Sequence, residues 1–145
     1  MKPEHLKIFQ ELPEDKLLAL CLLGEARGES IEGRIAIGNV IKNRVFHRKW
    51  DGDTYHEVIL MPKQFSCFDD INVDYMLNVI EAPSSAGILW QEALWIAFGI
   101  LNDRLQDNTK GALNYHAVWL NPYPPWAKDM IRTIVIGNHI FYKDK

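Results

Sequence analysis

Cysteine is scarce: Cys21 and Cys67 are the only two in 145 residues, too few for a disulfide scaffold and too sparse for a zinc cluster. Both read as reduced, buried thiols, although spacing alone leaves a single bridge between them open. No run of about 18 apolar residues exists to span a bilayer, so no membrane-spanning segment is expected. The opening Met1-Lys2-Pro3-Glu4-His5 lacks the apolar stretch of a secretory signal. Basic residues are not in excess either: 16 Lys and Arg against 19 Asp and Glu give a net charge of -3. Nucleic acid is therefore not an expected partner, because phosphate binding needs a basic face. Repeats and low-complexity tracts are absent.

What is present is apolar mass, 48% of the chain, ample for one packed core at this length. A single monomeric domain over residues 1–145 is expected, with its core in about 13–142. Pro13-Glu14-Asp15 reads as a helix start, proline suiting the first position and the acids the positive end of the dipole. The helix should run to about Ala26, and its unbroken apolar stretch Leu17 to Leu23 predicts burial on all sides. Gly28 is placed to stop it with a left-handed cap, and Ser30 to cap a second helix from Ile31 to Val45 with one core face and one wet face. Trp50-Asp51-Gly52-Asp53 breaks the pattern with a turn. Residues from His56 to Phe68 read as irregular structure with some strand. Asp74 to Glu81 reads as a short helix, Pro83-Ser84-Ser85 as a capping loop, and Ala86 to Leu105 as a long helix. Asn114 to Trp126, rich in aromatics, Asn and Pro, reads as a loop. Thr133 to Ile136 and His139 to Tyr142, flanking Gly137-Asn138, predict a hairpin.

Glu25 follows eight uncharged residues, Leu17 to Gly24. On pattern alone it is either the exposed tip of the helix or an acid in the floor of a cleft, and the rarity of buried charge favours the tip. The cleft reading has chemical content, since glycosidic cleavage needs a carboxylic acid to protonate the leaving oxygen and a partly apolar pocket suits such a group. Glu29, four residues on, would share that face only on a continuing helix, which Gly28 interrupts; it stands either as a supporting carboxylate or as a dipole-stabilising first-turn acid. Arg27 is a surface charge or a partner to one of these acids. Asp51-Gly52-Asp53 and Asp69-Asp70 lack the full pattern of a calcium loop, and no zinc-amidase motif is found, so neither metal nor cofactor is expected.

Gly24-Glu25-Ala26-Arg27-Gly28-Glu29, then Glu32-Gly33 and Asn39-Val40-Ile41-Lys42-Asn43-Arg44-Val45, closely resemble the opening of the spore cortex-lytic enzyme type of cell wall hydrolase. Val58-Ile59 and Gln64-Phe65-Ser66 resemble its central motif. Tyr115-His116 and Ile136-Gly137-Asn138-His139-Ile140-Phe141-Tyr142 resemble its C-terminal segments, so the likeness extends over about residues 16 to 142. The resemblance implies an α+β, mainly α, lysozyme-like domain with a small β element. It implies cleavage of the β-1,4 bond between N-acetylmuramic acid and N-acetylglucosamine in peptidoglycan. Lytic transglycosylase chemistry, giving a 1,6-anhydro product, needs one carboxylate because the nucleophile belongs to the substrate, whereas ordinary glycosidases use a pair. Glu25 would be that catalytic residue, with Gln64, Phe65, Ser66, Tyr115 and His116 binding substrate; His139 and Tyr142 read as packing residues.

Three alternatives remain at this point: a water-using muramidase, a non-catalytic peptidoglycan-binding or virion module, and a thiol enzyme using Cys67 with His116. The bare opening fits cytoplasmic synthesis and action on the wall after release, as in a phage lysis protein, or as a virion component.

Overall fold

A computed structural model describes residues 1–47 and 52–145. Among them are six α-helices, α1 (Pro3–Gln10), α2 (Glu14–Ala26), α3 (Ile31–His47), α4 (Tyr55–Leu60), α5 (Val73–Glu81) and α6 (Ile88–Leu101). Three strands, β1 (Asn114–Ala117), β2 (Ile131–Ile136) and β3 (His139–Lys143), close the chain. The expected mainly helical domain with a small β element is what forms.

Helix α2 is the axis of the fold. Leu17 to Leu23 are all buried, as an apolar run without polar interruption demands, and α2 packs against α6, α3, α4 and α5. Burial on every side fixes where its last turn points, and Glu25 sits in that turn. The sheet has the order β1-β3-β2 and is antiparallel throughout. Gly137, at φ +55°, makes the turn between β2 and β3, a conformation that favours glycine. Strand alternation then decides which side chains meet the helices. Tyr115 pairs with Phe141, and both lie on the core side, while His116 and Tyr142 take the opposite face.

Several expectations are corrected. Gly28 does not adopt the left-handed conformation; α2 ends through Arg27, still right-handed, and a Glu29 N–H bond to the Ala26 carbonyl at 2.9 Å. Ser30 does cap α3, its hydroxyl accepting from the Gly33 N–H at 3.1 Å. That helix has no fully wet face, since Arg34, Asn39 and Arg44 are buried and each finds partners. The His56 to Phe68 stretch contains no strand: Thr54 accepts from the Glu57 N–H at 3.1 Å and starts α4, and a 3-10 turn covers Ser66–Phe68. Helix α6 stops at Leu101 because Asp103 turns left-handed, φ +57°, and the Arg104 N–H returns to the Gly99 carbonyl at 2.8 Å. Its start is set by Gly87 at φ +60° after a 3-10 turn over Pro83–Ala86, with no serine cap. The aromatic segment from Asn114 begins as β1 before it becomes a loop. Helix α1 was not foreseen, and the turn placed at Trp50 to Asp53 lies partly outside the described residues.

Candidate active site

Glu25 lies half-buried at the end of α2. Its Oε1 accepts the Cys67 backbone N–H at 3.1 Å and faces the Ser66 hydroxyl at 3.5 Å. Both donors belong to the 3-10 turn over Ser66–Phe68. That turn comes so close to α2 only because residue 24 is glycine: a Cβ there would stand 2.4 Å from the Cys67 Cβ and 2.8 Å from its Sγ, well inside the contact distance of about 3.5–4.0 Å. The segment Gly24-Glu25 is thus a single device in which the glycine admits the turn and the turn orients the acid.

Opposite stands the sheet. Burial pushes the Tyr115 phenol well above its ordinary value, and the negative charge of Glu25 is the next cause. Tyr115 meets the His139 ring edge-on, with centroids 5.1 Å apart. His139 Nδ1 lies 3.2 Å from Glu29 Oε1, and the Asn138 amide donates to Glu29 Oε2 at 3.0 Å. Glu29 is therefore held to the β2–β3 hairpin through Oε2, with Oε1 lying beside His139. This role for His139 was missed by reading it as packing, although the half-polar strand His139-Ile140-Phe141-Tyr142 carried the hint.

The remaining expected residues separate into two groups. Gln64 is exposed but its Oε1 accepts from Arg44 Nη1 at 3.0 Å. Phe65 is buried in the core, and Ser66 points at Glu25. Arg44, buried on α3, also donates to the Leu113 carbonyl at 2.8 Å and the Asn114 side chain at 3.3 Å, so it ties the central motif to β1. His116 is not in the cleft. It is 5% exposed, its Nδ1 is 2.8 Å from the Ala117 carbonyl and its Nε2 2.8 Å from the Tyr142 hydroxyl, and Tyr123 and Trp126 pack on it. Strand alternation carries it away from Tyr115. A thiol mechanism loses its base by the same observation. Cys67 is buried beside Cys21 and both are free; burial, then the neighbouring Cys67, pushes the Cys21 thiol up.

A half-buried carboxylate at the end of a buried helix, clamped by two donors of the 3-10 turn, is suited to proton donation. Residues 28–142 match the family model described as Cell Wall Hydrolase. The chain belongs to the cell wall hydrolase family. The matched range begins just after Glu25. Among solved structures, the hydrolase is similar to the catalytic domain of the germination-specific lytic transglycosylase SleB from Bacillus anthracis, at 26% identity and TM-score 0.69, over 90% of this chain and 93% of that one. The catalytic domain of SleB from Bacillus cereus is similar at 25% identity and TM-score 0.69, over 90% of this chain and 89% of that one. No match is found among curated protein sequences. The fold is lysozyme-like, and the hydrolase is an enzyme of glycosidic bond cleavage.

Proposed function

We propose that the hydrolase cleaves peptidoglycan strands between N-acetylmuramic acid and N-acetylglucosamine as a lytic transglycosylase, with Glu25 as sole acid and base. Glu25 in its protonated form gives its proton to the glycosidic oxygen as the bond from that oxygen to C1 breaks. The carboxylate then takes the proton of the C6 hydroxyl on the same muramic sugar while O6 bonds to C1. The sugar leaves as a 1,6-anhydro ring, no water is consumed, and Glu25 ends protonated as it began.

One observation carries this reading over a water-using muramidase. The second carboxylate that an ordinary glycosidase needs would have to be Glu29, whose Oε2 accepts from the Asn138 amide and whose Oε1 lies 3.2 Å from His139 Nδ1. Glu29 supports the site by fixing the hairpin that carries Tyr115's neighbour His139. Ser66 and Tyr115 border the bond to be cut, whereas Gln64 and Phe65 act from behind, holding Arg44 and the Ser66–Phe68 turn. Mass spectrometry of muropeptides released from purified sacculi tests the proposal: anhydro ends, lighter by one water than reducing ends, are expected. Reducing ends alone would replace it with hydrolysis.

A further inference from the structure

Beside the acid is a cation that the cleavage chemistry leaves unused. Arg27, at the end of α2, lies over the Tyr75 ring of α5, its guanidinium carbon 4.8 Å from the ring centroid. It pairs with neither Glu25 nor Glu29, and among the described residues no acidic side chain forms an ion pair with it. Arg27 and Tyr75 border a groove of about 260 Å³ whose lining includes Gly24, Ser66, Cys67 and Asn72. Among the described residues no carboxylate lines it, and Arg27 is the one cationic side chain in its lining. Ser66 and Cys67 are the two donors to Glu25, so the groove begins at the clamp on the acid. The Asn72 amide donates to the Ser66 carbonyl at 3.0 Å and braces the shared wall. A larger cavity of about 460 Å³ lies behind, under Met1 and Leu6, and its lining includes none of these groups.

Neutral sugar hydroxyls have no need of a guanidinium held over an aromatic ring. A carboxylate does, because the planar fork binds it in two parallel charge-assisted bonds and the ring limits the freedom lost on binding. In the polymer proposed above, the muramic sugar differs from its neighbour by a 3-O-lactyl arm. That arm ends in a carboxylate or is joined there to a stem peptide that carries carboxylates of its own. We infer that the Arg27–Tyr75 groove is a carboxylate subsite for this arm, beside the scissile bond, and that it makes the enzyme select strands whose muramic arm is charged. The inference rests on the peptidoglycan reading of Glu25.

Three substrates test it: intact sacculi, sacculi stripped of stems by an amidase, and sacculi whose carboxylates are converted to neutral amides with carbodiimide and ammonia. Wild-type enzyme should cleave charged strands about tenfold more efficiently than amidated ones, mainly through KM, since the contact is remote from the reacting atoms. Arg27→Gln should lose that factor on charged strands and change little on amidated ones, with Arg27→Lys between. Preference kept after stem removal assigns the lactyl carboxylate, and preference only with stems assigns the peptide; either supports the subsite. An equal fall of Arg27→Gln on both substrate types, or no fall, overturns it. Wild-type indifference to amidation, with cleavage intact, sinks the subsite alone. Absence of cleavage on every substrate overturns the peptidoglycan reading and the subsite with it.

Discussion

Substituting Gly24 tests whether the glycine before the acid is there for geometry. Gly24→Ala would ordinarily favour a helix by about 1 kcal/mol. Here the added Cβ meets the Cys67 Cβ at 2.4 Å, its Sγ at 2.8 Å and the Met76 Cε at 3.3 Å. Relief to ordinary contact requires the Ser66–Phe68 turn to retreat by roughly 1 Å, and overpacking of this kind costs about 1–3 kcal/mol. The net effect on folding is thus modest, between neutral and about 2 kcal/mol of destabilisation. The effect on the site is larger. The same retreat would stretch the 3.1 Å bond from the Cys67 N–H to Glu25 to about 4 Å, beyond hydrogen-bonding range. A hydrogen bond to a charged group contributes about 1.5–3 kcal/mol, so the rate of sacculus digestion should fall roughly 10- to 100-fold. Turbidity loss of purified sacculi gives the rate and thermal unfolding gives the stability. Adding Cys67→Gly removes both close contacts while keeping the backbone N–H, and should recover much of the lost rate, a coupling that a double-mutant cycle measures. A Gly24→Ala enzyme at full rate would refute the clamp, as would a double variant no faster than the single one.

Other consequences follow from the same contacts. Tyr142→Phe leaves the Nε2 of buried His116 without its 2.8 Å partner and should cost about 1–3 kcal/mol in chemical denaturation, while digestion of sacculi persists. Arg44→Met abandons the Leu113 carbonyl and the Gln64 and Asn114 side chains, so it should destabilise by about 1–3 kcal/mol for each acceptor left dry; Arg44→Lys should not restore the loss, because lysine lacks the fork. Burial alone would raise the Asp107 carboxyl, but bonds from the Thr109 hydroxyl and N–H, Asn43 and Gly111 outweigh it and hold it below its ordinary value of 3.8. A depressed folded value means that its stabilisation is present above the unfolded value and is lost as pH falls through the folded one. Asp107→Asn should therefore narrow the difference in stability between about pH 6 and about pH 3, and an unchanged difference would discount those bonds.

How much of this was written in the sequence depends on range. The α2 axis was legible because an unbroken apolar run ending in Gly24-Glu25 admits few placements. The β2–β3 hairpin was legible because Gly137-Asn138 separates two apolar runs. Helix α4 was missed although Thr54 and Glu57 have capping-box spacing, because its six residues are too short for periodicity to register. The errors in the site concern direction rather than membership. Tyr115 and His116 are neighbours in sequence, but a strand sends them to opposite faces, and calling Asn114 onward a loop concealed that alternation. Arg44, Cys67 and His139 owe their roles to contacts 20 to 110 positions away, which no local pattern encodes.

The central claim is that Glu25 is the only catalytic carboxylate, and Glu25→Gln tests it most directly. Glutamine keeps an acceptor for the Cys67 N–H and should leave thermal unfolding nearly unchanged. Release of soluble muropeptides from sacculi should fall by about 100- to 10,000-fold, the range removed with a positioned general acid. A folded Glu25→Gln enzyme that digests sacculi at the wild-type rate would contradict the account.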